Sequence, residues 1–190
     1  MAQNFRYDVE ILHLLVSPAH AYFGRARDGA ADVPTTDEDT AEVVAGKGIV
    51  GDRFFGKAAH MDAAVTLFAV ESLEAIAEEL DAGPFDPLLT RRNVVLRGAH
   101  LAPLLGQDFA LESGGDEVRF HGGRHAQPCA WMNEMLAPGA HPAMRGRGGI
   151  RCRALSSGLL HRGPAVLVSP VPLDPARAGE ASVLRPSRLP

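Results

Sequence analysis

The chain is expected to fold as a mainly β protein, a closed or nearly closed antiparallel β-barrel with a few short helices. Three observations point there. Apolar and β-branched residues fall in several short runs. Glycines and prolines, 20 and 14 of 190 residues, punctuate the gaps between those runs. Few stretches carry helical spacing, and no unit repeats. Many short strands joined by glycine turns favour a closed sheet.

Residues 5–16 alternate and then run apolar through Val9, Ile11, Leu12, Leu14, Leu15 and Val16, as a strand entering a core does. Residues 17–42 hold Pro18, Pro34, glycines and Asp37-Glu38-Asp39, which reads as a long loop with solvated acids. Residues 43–50, broken by Gly46 and Gly48, read as a bent strand, and Gly51-Asp52-Arg53 as a tight turn. Residues 64–69 form a strand candidate. The clearest helix spans 70–81, with Val70, Leu73, Ala77 and Leu80 on one face and Gly83-Pro84 beyond its end. A short β-branched strand follows at 93–97. Segments 107–112 and 117–121 make a hairpin across Ser113-Gly114-Gly115-Asp116. Late strands are expected at 150–155 and 165–169. The domain is read as 1–168. Residues 169–190 hold Pro170, Pro172, Pro175, Pro186 and Pro190, a tail that either wraps the surface or is disordered.

Composition bounds the function. Hydrophobic residues make up 46% of the chain, enough for a core without disulfide staples. The first residues lack the pattern of a secretory signal, and no apolar run is long enough to span a membrane. Two cysteines then suggest reduced thiols and a cytoplasmic setting, with a Cys129–Cys152 disulfide the less favoured option. The net charge of −4 argues against nucleic-acid binding. Lys47 and Lys57 are the two lysines among 19 basic residues, and the rest are arginines. A coding bias toward Arg, Ala, Gly and Pro explains most of that excess. Guanidinium forks also suit anions, and the arginines cluster at 91, 92 and 97 and at 145, 147, 151 and 153.

Gly123-Arg124-His125-Ala126-Gln127-Pro128-Cys129 delivers a thiol to what looks like the first turn of a helix, with Pro128 as an early helical residue. In the next residues Trp131 pairs with Met135 and Met132 with Leu136 at helical spacing. A thiol there sits at the positive end of a helix dipole, which favours the thiolate that binds soft metals or carries sulfur. The alternative is a small buried hydrophobe. Cys152, between Arg151 and Arg153, points opposite to both if the segment is a strand, and reads as structural. A zinc site on His121, His125 and Cys129 would need a helix, which Gly122, Gly123 and Pro128 oppose.

Four blocks in order carry more than any one of them. They are Gly48-Ile49-Val50-Gly51-Asp52-Arg53; Thr90-Arg91-Arg92-Asn93-Val94-Val95-Leu96-Arg97-Gly98; Pro128-Cys129; and Arg145-Gly146-Arg147-Gly148-Gly149-Ile150-Arg151-Cys152-Arg153. With Leu101-Ala102-Pro103-Leu104-Leu105-Gly106, they resemble the MOSC domain, named for the C-terminal part of molybdenum-cofactor sulfurase. The likeness runs from about residue 43 to 168.

The resemblance implies a β-barrel whose cleft holds the pterin-bound molybdenum cofactor (molybdopterin), with Cys129 as metal ligand and catalytic residue. It implies cofactor-binding roles for Arg53, Arg92 and Asn93, and less directly for Arg147 and Arg151. Each has a plainer reading: Arg53 braces a turn through Asp52, and Asn93 caps a strand end. The implied activity is an oxidoreductase that reduces N-hydroxylated or N-oxygenated small molecules. The alternative is a sulfur carrier or cofactor-binding module that takes persulfide sulfur on Cys129 for delivery to a partner. With no desulfurase domain and no flavin or iron–sulfur motif, the chain is expected to need a cysteine desulfurase or an electron-donor protein. Gly163-Pro164 departs from the family's usual Gly-Asp turn.

Overall fold

A computed structural model describes residues 4–182. β1 (Phe5–Val16) is twelve residues long because it has work on both edges. Its first half pairs with β11 (Gly163–Ser169), its second half with β6 (Val94–Arg97), and its end with β2 (Thr36–Asp37), all antiparallel. A register shift between Ile11 and His13 changes the alternation, so Ile11 and Leu14 face the barrel interior while Leu15 packs outside it.

Five further segments complete the wall: β5 (Val65–Ala69), β7 (Asp108–Ser113), β8 (Asp116–His125), β9 (Ile150–Ala154) and β11. The order β1-β11-β7-β8-β9-β5-β6 returns to β1, so seven strands close a barrel. One expectation changes: β5 and β6 run parallel, which makes the barrel mixed rather than antiparallel throughout. The reason is α1 (Val70–Glu79), which lies between them as a crossover; a parallel pair cannot be joined by a tight turn. The β7–β8 hairpin is as expected, with Gly114 and Gly115, both at positive φ, as its two-residue loop.

The segment expected as a loop over 17–42 is shorter than predicted. It contains β2 and the start of β3 (Thr40–Val44), which pairs with β4 (Gly48–Ile49) and β10 (Gly158–His161) in a small separate sheet. Its acids are not simply solvated. Asp37 accepts from His13 and Arg162, and Asp39 pairs with Arg162. These partners are distant in sequence, so no local pattern announces them.

The barrel interior is filled by side chains that include Ile11, Leu67, Leu96, Leu111, Phe120, Cys152 and Leu167. A second cluster covers the outer face of β5 and β6. There Phe68 and Val95 meet Leu73 and Ile76 of α1, Trp131 and Met132 of α2 (Trp131–Met135), and Met144 just beyond α3 (Ala140–Ala143). This double cover explains why all five residues of β5 are buried. Cys152 lies inside the barrel, opposite Arg151 and Arg153, as alternation predicts.

After β11 the chain wraps the surface. The Leu173 N–H donates to the Tyr7 hydroxyl at 2.7 Å, Ala178 is buried, and the Ser182 N–H donates to the Gly146 carbonyl at 2.8 Å. Met1–Gln3 and the end of the tail, with Pro186 and Pro190, lie outside the described residues. Among those described, no helix is long and apolar enough to cross a membrane.

The glycine-rich turn before β9 is shaped by close approach. A Cβ at Gly149 would overlap the Leu67 carbonyl, and the residue sits at φ +88°. Gly149→Ala is therefore expected to destabilise the fold by ~3 kcal/mol or more. Chemical denaturation checks this; an unchanged midpoint would show that the turn relaxes freely.

Candidate functional site

Cys129 is reached by a short loop that leaves β8. The Ala126 N–H donates to the Gly149 carbonyl at 2.9 Å, and buried Trp131 and Met132 hold the other end. The helix begins later than the sequence suggests. Ala130 is the N-cap and Trp131 the first helical residue, so Pro128 and Cys129 precede it. The Cys129 carbonyl accepts the Met132 N–H at 3.0 Å. The thiol residue itself is exposed, not a buried hydrophobe. A five-residue helix supplies little dipole. Arg124 faces a neighbouring groove, and burial pushes His125 toward its neutral form. The positive surroundings of Cys129 come instead from across the fold.

Four arginines line the same cleft of about 150 Å³ as Cys129: Arg53, Arg91, Arg92 and Arg151. Arg92 is buried. One of its Nη atoms reaches the Gln127 carbonyl at 3.4 Å, while its Nε finds no partner. Burial first, then Arg151 and Arg53, lower its pKa to about 10, with Cys129 acting in the opposite sense; it remains a cation at pH 7. Arg91 adopts the left-handed conformation, φ 53°, at the end of the short 3-10 turn Pro87–Thr90. It donates to the Ala19 carbonyl at 2.6 Å and lies 5.3 Å from the Tyr22 ring centre. Arg53 and Arg151 lie over the Phe54 ring at 4.8 and 5.8 Å. Burial is also the main cause that lowers the pKa of each of these three.

One carboxylate stands against the four guanidiniums. Asp52, fully buried, accepts from Arg53 at 3.3 Å, from the Asn93 side-chain amide at 3.1 Å and from the Phe54 N–H at 3.1 Å. The cleft is therefore cationic and mostly unneutralised, a ready receptor for an anion. His20, beside it, is pushed toward the neutral form by burial, Arg53 and Arg91. Tyr22 stacks on Trp131 at 5.4 Å and donates to the Leu89 carbonyl at 2.7 Å, which ties the 17–35 loop to the cleft wall.

Two residues expected here lie elsewhere. Asn93 is buried: Oδ1 accepts the Thr66 N–H at 3.0 Å, and Nδ2 donates to Leu15 and Asp52. Its carboxamide braces the Asp52 turn, with both N–H donors committed to the framework. Arg147 turns to the opposite side of the glycine-rich turn, pairs with Glu79 at 3.0 Å and lines a crevice with His100 and Ser182. The sequence offers Arg91 only as one of an arginine cluster and gives no sign of His20 and Tyr22, which belong to a segment with no periodic signal.

A family model described as MOSC domain matches residues 45–167. YuaD from Bacillus subtilis aligns in structure at 18% identity with a TM-score of 0.66, covering 88% of this chain and 98% of that one. YiiM from Geobacillus stearothermophilus aligns at 18% identity with a TM-score of 0.58, covering 84% and 74%. At such identity these two show the fold. A comparison with curated protein sequences returns no match. Matched over more than half its length, the chain belongs to the MOSC domain family, which is linked to binding of the molybdenum cofactor.

Proposed function

We propose that this chain binds molybdenum cofactor in the cleft beside Cys129 and acts as the terminal reductase of N-hydroxylated or N-oxygenated small molecules. The observation that carries this reading is one exposed thiol in the same cleft as four arginines, of which, among the described residues, Arg53 alone is paired with a buried carboxylate, that of Asp52. The donor set suits the group. A thiolate is a soft ligand for the metal, and guanidiniums suit the phosphate of its pterin tail. The buried Nε atoms of Arg53 and Arg92, both without partners, are donors still to be satisfied. When bound, the metal would supply the two-electron chemistry that reduction of an N–O bond requires.

The chain's own residues hold and orient. Cys129 offers a ligand at the end of a loop pinned on both sides. Arg53 and Arg92 neutralise the anionic tail, and Asp52 and Asn93 keep Arg53 in place. The stacked Tyr22 and Trp131 close one wall against water. The exposed side of Cys129 stays open to a small substrate. This reading requires an electron-donor protein as partner.

The same exposure favours a second reading, a carrier that takes persulfide sulfur from a cysteine desulfurase. Protein purified from a cofactor-producing host is expected to contain molybdenum and pterin, with both lost in Cys129→Ala. With an artificial electron donor it should reduce members of a hydroxylamine and amidoxime panel. Absent metal and turnover, together with persulfide on Cys129 after exposure to a desulfurase, would instead establish the carrier.

A further inference from the structure

A wider groove of about 850 Å³ opens next to the cysteine cleft. Its floor is the outer face of β8 and β9. Its rim is the short 3-10 segment Ala58–Ala63 and the turn at Ala45 and Gly46. Nothing in the proposed reductase or carrier chemistry uses it. The volume falls within the range of small-molecule pockets.

The strand register fills this floor with positive charge. Between Gly122 and Arg124 the β8–β9 pairing slips: Gly122 opposes Cys152, Arg124 opposes Arg151, and Gly123 is the extra residue. Such a bulge re-aims side chains. Here Gly123 and Arg124 both emerge on the outer face. Arg124 thus stands across from Arg151, and His121 across from Arg153. Like charges directly opposite destabilise a sheet. Among the described residues, no carboxylate forms a salt bridge with Arg124 or Arg151. Arg153 has Asp62 at 3.2 Å and His121 has Asp108 at 2.7 Å. Both acids are largely exposed, 80% and 71%, so these pairs are weak and readily exchanged for a better anion.

Arg151 lines the cysteine cleft and Arg124 lines the groove, so this unneutralised pair sits on the ridge between the two. On the groove side the walls are small: Ala45, Ala58, Ala59 and Ala154, with His60 and Met61. They leave room for an organic body rather than filling it.

We propose that this groove is a second binding site, for an organic diphosphate of nucleotide size whose phosphates bridge Arg124 and Arg151. Two linked phosphates carry more charge and more acceptor oxygens than one, so each guanidinium can be held by its own bidentate pair. Two sources share this chemistry: a free nucleoside diphosphate, and a nucleotide extension of a cofactor held in the cysteine cleft. The site does not depend on what Cys129 holds, since no thiol lines it.

The test is calorimetric titration of the full chain with phosphate, pyrophosphate and CDP. Pyrophosphate and CDP are expected to bind about tenfold or more tighter than phosphate. Arg124→Ala, at an exposed position, should weaken both by about tenfold, Arg124→Lys by less, and Cys129→Ala should leave both unchanged. Equal affinity for phosphate and pyrophosphate, or an unaltered Arg124→Ala, would overturn the proposal. Repeating the CDP titration on cofactor-loaded protein separates the sources. Binding that persists supports a free nucleotide. Binding that is excluded, with a nucleotide released on acid treatment, supports the cofactor extension; exclusion without a nucleotide overturns the assignment. Protein that never loads cofactor but still binds CDP through Arg124 refutes the reductase reading while it upholds this site.

Discussion

Brief treatment of the native protein with iodoacetamide is expected to label Cys129 and spare Cys152. Cys129 is exposed at the mouth of the cleft, whereas Cys152 has no exposed surface and packs among the barrel's apolar side chains. Reagent reaches Cys152 only when the wall opens, so its rate carries the opening equilibrium as a factor. For a central strand that lowers the rate by ~10³-fold or more. Burial also pushes the Cys152 thiol far above the ordinary range, so little nucleophilic thiolate exists there. Quenched labelling read by mass spectrometry checks this, and comparable rates would show that the β5–β9–β8 wall is loosely held.

The same shift sets a pH dependence with a definite sign. The native state keeps the Cys152 proton, while the unfolded chain loses it near ~8.5. Above that pH the unfolded chain binds fewer protons than the native state. The stabilisation is therefore complete below about pH 8.5 and declines as pH rises, by up to ~1.4 kcal/mol per unit. A Cys152→Ala variant should lack this slope between about pH 8.5 and 10.

Arg92→Met is expected to make the protein more stable and to weaken the cysteine cleft's response to anions. Arg92 is buried, has no carboxylate partner, and sits near two other cationic arginines. The fall from 12.5 to about 10 means that holding its charge costs the fold roughly 3 kcal/mol. That cost is constant below pH 10, so it contributes no slope at neutral pH. An apolar side chain of similar length removes the cost, and a gain of ~1–3 kcal/mol, or several degrees in Tm, should follow. With the groove site removed by Arg124→Ala, phosphate should still raise the Tm clearly, and adding Arg92→Met should leave little of that rise. A variant that is less stable yet responds to anions like the natural chain would make Arg92 a structural residue. A stability cost concentrated at one cationic cleft is what a binding function predicts, because a bound anion would supply the counter-charge.

Periodicity carried the fold a long way. The alternation of residues 5–16, the helix begun by Val70 and Leu73 and the Gly114-Gly115 hairpin all lie within windows of a few residues, where backbone preference and side-chain direction are locally decided, although the helix buries Ile76 rather than the expected Ala77. The short pairs Thr36–Asp37 and Gly48–Ile49 were not legible. Thr36–Asp37 is a strand only because Leu15 and Val16, some twenty residues back, supply its hydrogen bonds, whereas Gly48–Ile49, expected within one bent strand over 43–50, instead folds back on Val43 and Val44. The parallel β5–β6 pair was hidden for a related reason: nothing in a strand's own sequence states the direction of its neighbour.

For the cleft, the sequence by itself determined which chemistry was available. It provides one thiol at a loop–helix junction, arginines in clusters, and motifs in the order typical of the MOSC domain. It also determined that Cys152, flanked by two arginines in a strand, faces away from them. Only the tertiary structure decided which arginines act together. Arg91 and Arg92 meet Arg151 and Cys129 because β6 and β9 flank β5 and because the glycine turn at 148–149 brings the Cys129 loop against them. Arg147, four residues from Arg151, leaves on the other side to reach Glu79. Asn93, one residue from Arg92, spends its amide on the scaffold. Adjacent residues of a strand or turn point in opposite directions, so a motif names candidates, and the packing of segments tens of residues apart assigns each one to ligand or to framework.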